Sequence, residues 1–99
     1  MKHATPAVLD TIAPLLDEIR ALGGLTERSP GIFYRKGRAF LHFHEDPKGL
    51  FADVRDADGR DFERIDVTAE AGRIALVAAA RARLMAPASS PPAKPRGRG

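Results

Sequence analysis

Ninety-nine residues without a cysteine make one domain near the small end of what folds alone, with no disulfide or thiolate metal site to support it. The formal net charge of +3 gathers at one end: Lys94, Arg96 and Arg98 lie in the closing stretch PASSPPAKPRGRG, which holds no acid. Taking these three from the 16 basic residues leaves thirteen, equal to the 13 acidic ones, so the remainder lacks the positive footprint of a nucleic-acid binder.

Thr5-Pro6 reads as an N-cap followed by proline at the first helical position. Leu9, Ile12, Leu16, Ile19 and Leu22 recur at helical spacing, and Gly23-Gly24 supplies the stop. Pro14 interrupts this pattern, so either the helix kinks there or the true helix begins near Ala13 after a short leading turn. From residue 31 the period changes to two. Strands are expected over Ile32–Arg35, Ala39–Glu45, Leu50–Arg55 and Asp61–Val67, joined by the turn sequences KG, DPKG and DADG. Thr68 reads as the cap of a second helix running to Met85, with Ile74, Val77, Ala78, Leu84 and the stem of Arg81 as its apolar stripe.

The reading is therefore an α+β domain over residues 1–85 in the order helix, four-stranded antiparallel meander, helix (αββββα), with both helices on one sheet face. A disordered Pro/Arg-rich basic tail is expected over residues 86–99. No apolar run has the length of a membrane span and the N-terminal stretch has no unbroken apolar core, so a cytoplasmic location with no membrane partner is expected.

Turn lengths set a register. The Lys36-Gly37 loop places Arg35 opposite Arg38 and Phe33 opposite Phe40. The DPKG loop places Glu45 opposite Leu50, His44 opposite Phe51 and His42 opposite Asp53. The DADG loop places Arg55 opposite Phe62 and Asp53 opposite Arg64. Directly opposed residues share a face. One face then carries Ile32, Tyr34, Leu41, Phe43, Leu50, Ala52, Val54, Ile65 and Val67, which is a core face. The other carries Phe33, Arg35, Phe40, His42, His44, Phe51, Asp53, Arg55, Phe62, Arg64 and Asp66. A rival register, with a glycine bulge in the DPKG turn, shifts the second hairpin by one and turns both histidines toward the core. The first register sorts polar from apolar side chains more cleanly.

The second face is the candidate ligand or partner face. It holds four of the five phenylalanines, more apolar surface than a solvated sheet face normally shows. A homodimer packed sheet to sheet, a helix crossing over, or a bound ligand would each cover it. His42 and His44 point the same way about 7 Å apart along the strand. With Asp53 they are a conceivable ligand set for zinc or iron(II), although the charge of Arg64 beside Asp53 opposes a cation there. A cross-strand ladder His42–Asp53–Arg64 is the structural alternative, and no cofactor is required by it. No serine lies beside a base, no glycine-rich phosphate loop follows a strand, and no catalytic set emerges.

Residues 19–55, with Gly37-Arg38-Ala39-Phe40 and His44-Glu45-Asp46 as the matching pieces, resemble the MmcQ/YjbR-like family of small bacterial proteins. That resemblance implies an α+β double-wing fold and, on fold grounds, DNA binding. The expectation that follows from the residues themselves is a non-enzymatic binding module, homodimeric through the second sheet face. Alternatives are single-stranded nucleic-acid binding through the interleaved Phe and Arg side chains, and metal-dependent chemistry at His42, His44 and Asp53.

Overall fold

A computed structural model of the protein describes residues 2–85; the expected tail over 86–99 lies outside the described residues. In chain order the elements are β1 (Lys2–His3), α1 (Pro6–Asp10), α2 (Ala13–Ala21), β2 (Thr26–Ser29), β3 (Ile32–Arg35), β4 (Arg38–Asp46), β5 (Gly49–Arg55), β6 (Phe62–Asp66) and α3 (Glu70–Met85). The α+β class and the antiparallel meander hold. The sheet is wider than the expected four strands, with order β2-β3-β4-β5-β6 and β1 paired to β4. Among the described residues no helix is long and apolar enough to cross a membrane.

The N-terminal helical segment divides as Pro14 requires. Thr5 caps α1, its hydroxyl accepting from the Val8 amide at 3.3 Å, and Pro6 takes the first turn. The helix then breaks, and α2 starts afresh at Ala13 with Pro14 in its first turn, where a missing amide hydrogen costs nothing. One core cluster draws Leu9, Ile12, Leu15, Leu16 and Ile19 from this segment, Leu76, Val77 and Ala80 from α3, and Leu41, Phe43, Ala52 and Val54 from alternate positions of β4 and β5.

The second helix is rotated from the expected stripe. Val77 is buried and Leu84 packs against the core as expected, but Ile74 is 63% exposed and Ala78 and Arg81 face out, while Leu76 and Ala80 are buried instead. Two contacts fix the rotation. Gly72 sits so close to β6 that a Cβ there would overlap the Asp66 carbonyl oxygen, and Arg83 donates to the Arg55 carbonyl and to Glu63. Thr68 does not act as the expected cap. Its hydroxyl turns to β5, accepting from the Leu50 amide at 3.0 Å.

The pairing of β4, β5 and β6 is as expected: His42 opposes Asp53, His44 opposes Phe51, Asp53 opposes Arg64 and Arg55 opposes Phe62. The β3–β4 hairpin departs. Lys36 and Gly37 both adopt positive φ, at 53° and 82°, the signature of a tight two-residue hairpin turn, and Arg35 does oppose Arg38. One step on, the register shifts. Tyr34 opposes Ala39 but Phe33 opposes Leu41, so Phe40 is the extra residue of a β-bulge.

That single insertion reverses the parity of β3. Phe33 and Phe40 are 1% and 3% exposed within the core cluster, not on the second face. Ile32 and Tyr34, expected in the core, are only half-buried, with the Arg28 guanidinium stacked 4.4 Å from the Tyr34 ring centroid. Arg35 moves with Phe33 to the helix side. It donates to the carbonyls of Arg83 and Leu84 at 3.1 and 3.5 Å, closing the C-terminal end of α3 where carbonyls lack helical partners. The physical reason is burial: a bulge takes two phenylalanines out of water, each worth roughly 1.5–3 kcal/mol.

Candidate functional site

With Phe33, Phe40 and Arg35 removed, the second face keeps His42, His44, Phe51, Asp53, Arg55, Phe62, Arg64 and Asp66. It gains His3. The two-residue strand β1 runs along the far end of β4, with His3 opposite His44 and Lys2 opposite Glu45. Two bonds fasten its exit: the Ala4 amide donates to the Phe43 carbonyl at 3.1 Å, and the Thr5 amide donates to Glu45 Oε1 at 2.8 Å. No local pattern in Lys2-His3 announces a strand. Nothing in the sequence places His3, which both short helices and strands β2 and β3 separate from His42, beside the other two histidines.

The three imidazoles form one cluster. Ring centroids are 4.8 Å apart for His42–His44, 5.1 Å for His3–His44 and 5.8 Å for His3–His42. Ring nitrogens from all three lie within 4.8 Å of one another. Phe62 closes one side, its centroid 4.9 Å from that of His42. His42 and His44 are half-buried and His3 is exposed. Among the described residues, His42 Nδ1 and His44 Nε2 are shut off from solvent with no hydrogen-bond partner.

Beside the cluster sits Asp53, 7% exposed and the one buried charged residue among those described. Arg64 grips it with both ends of its fork, Nε to Oδ1 at 2.8 Å and Nη2 to Oδ2 at 2.9 Å, the arrangement that makes an arginine–carboxylate pair strong and directional. The expected ladder is altered in one respect. His42 opposes Asp53 in the backbone, but it is His44 whose Nε2 comes within 3.1 Å of Asp53 Oδ2, in contact range but off the line of a hydrogen bond.

The electrostatics follow from this packing. The Arg64 hydrogen bonds hold the Asp53 carboxyl below its usual range, against the opposing effect of burial. The Arg64 guanidinium is shifted upward by the same pair. Burial, and then the neighbouring His44, lower the pKa of His42 and so favour its neutral imidazole. Arg55 is committed to the fold. It donates to the Ala39 carbonyl through Nε and Nη2 at 3.0 and 2.6 Å, and its guanidinium stacks 4.2 Å from the Phe62 centroid. Asp66 accepts from the Thr68 amide at 2.8 Å.

No family model, no curated protein and no solved structure matches this chain. The site therefore has to be interpreted from its own chemistry.

Proposed function

We propose that this chain is a binding module whose working surface is the open face of the sheet, centred on His42, His44, Asp53, Arg64 and Phe62. The observation that carries this reading is the pair of sequestered imidazole nitrogens beside a buried, arginine-held carboxylate. Leaving such groups without partners costs about 1–3 kcal/mol each, a large sum for a small domain. Residues that break the local rules of stability concentrate where a protein binds something. Moving Phe33 and Phe40 into the core takes two of the four phenylalanines from this face while Ile32 and Tyr34 join it half-buried, and the charged Asp53–Arg64 pair at its centre favours a small polar or charged ligand over a broad apolar partner. The move also removes two of the four rings that base stacking would use, and Arg55 is already engaged. Single-stranded nucleic-acid binding through this face thereby loses part of its support.

The test is a ligand screen by amide chemical-shift mapping, run in chelator-treated buffer, with small organic anions, nucleotides and single-stranded oligonucleotides. Saturable shifts confined to β4, β5 and β6 around His42, Asp53 and Arg64, and absent in Arg64→Ala, support the reading. Shifts confined to other surfaces count against it.

One observation favours homodimerisation as a second reading: β6 is the last strand of the sheet, and its Phe62 is 37% exposed. Sedimentation equilibrium of the wild type and Phe62→Glu across a wide concentration range decides it. A wild type that stays monomeric throughout removes the dimer.

A further inference from the structure

We infer that His3, His42 and His44 form a binding site for one divalent transition-metal ion of the zinc type, with the Asp53 carboxylate standing beside it. The inference rests on reading this sheet face as the binding surface and names the ligand it takes.

Three features carry it. The donors are right: three imidazoles and a carboxylate, with no thiolate, suit zinc or cobalt(II) and not calcium or magnesium, which take oxygen ligands. The spacing is right. Zinc holds imidazole nitrogens at about 2.0–2.1 Å, so three around one ion stand roughly 3.3 Å apart. Ring nitrogens already within 4.8 Å need ring tilts of only ~1 Å to reach that distance. The valences are open: among the described residues, His42 Nδ1 and His44 Nε2 are buried with no hydrogen bond made.

Asp53 completes the arrangement. Its Oδ2 lies 3.1 Å from His44 Nε2 without hydrogen-bond geometry, a separation that suits two neighbouring ligands of one ion. The expectation that Arg64 repels a cation meets the bidentate pair, in which the arginine charge is balanced by Asp53 before any ion arrives. His3, exposed on β1, leaves a path for entry. Because it comes from β1 while His42 and His44 come from β4, the ion would also fasten the N-terminal strand to the sheet.

Protein prepared without a polyhistidine tag and stripped with chelator is titrated with zinc by calorimetry and with cobalt(II) by visible absorption. One ion per chain is expected, with a melting temperature that rises with zinc concentration and slower hydrogen exchange at the Ala4 amide. His3→Ala removes only an exposed ligand, so its far-UV spectrum should be unchanged. Its zinc affinity should fall more than about 100-fold, beyond the 10–100-fold that loss of an outer partner costs. No uptake by the wild type, His3→Ala binding as tightly as the wild type, or unchanged Ala4 exchange in the loaded chain each overturns the inference. Its failure leaves the chelator-treated ligand screen to judge the wider reading. A silent screen with zinc bound confines the face to the metal.

Discussion

Arg64 and Asp53 are joined by two parallel hydrogen bonds of 2.8 and 2.9 Å across neighbouring strands, and the pair fixes the one carboxylate that faces the histidine cluster. Asp53 thereby has a lower pKa folded than unfolded. A carboxyl shifted downward contributes stability that is full above its unfolded pKa and is lost as pH falls through the folded value. The melting temperature of the wild type should therefore drop on the acid side, below the ordinary carboxylate range. Asp53→Asn should flatten that part of the pH profile. Arg64→Ala should move it to higher pH, because burial then acts on Asp53 without its partner. An Asp53→Asn profile that superimposes on the wild type refutes the assignment.

The bulge at Phe40 makes a prediction that simple alternation would reverse. Phe33→Ala and Phe40→Ala should each cost about 3–5 kcal/mol, the range for emptying a buried aromatic site, whereas Phe62→Ala on the open face should cost far less. Urea denaturation of the three variants ranks them. Because a domain of this size has only about 5–15 kcal/mol in total, a core variant found unfolded at ambient temperature agrees with the ranking.

Gly72 should resist the change that normally strengthens a helix. Alanine in place of glycine at a helical position ordinarily gains about 0.8–1 kcal/mol. Here the added Cβ would meet the Asp66 carbonyl, so Gly72→Ala should lower the melting temperature, and the loss should appear as weakened docking of α3 on β6. A stabilised variant would show that the helix can rotate away at no cost.

Arg35 separates structure from function. Alternation sets it on the same face as Arg64, but its guanidinium holds the Arg83 and Leu84 carbonyls. Arg35→Ala should cost about 1 kcal/mol, as for loss of hydrogen bonds to a helix end, and leave zinc affinity unchanged. A large drop in metal affinity with full stability would return it to the site.

Much of this architecture is local and so was readable in the residues. The Lys36-Gly37 turn demands two positive φ angles and receives them. The turn at Asp46–Gly49, where the Asp46 carboxylate accepts from the Lys48 amide, pins His42 opposite Asp53. Alternation along β5 keeps Ala52 and Val54 in the core. The split of the first helical segment follows from Pro14.

What the amino-acid order by itself determined was thus the strand and turn chemistry, and with it the alignment of His42, His44, Asp53 and Arg64 on one surface. Tertiary structure alone decided three things. It placed the extra residue in β4, because a bulge is chosen by what the whole core can bury and a one-residue shift carries every later side chain of β3 to the other face. It set the rotation of α3, through the contact of Gly72 with Asp66 and the reach of Arg83 to Arg55. It brought His3 to the other two histidines, because β1 is held by backbone pairing to the distant β4 and carries no apolar rhythm of its own.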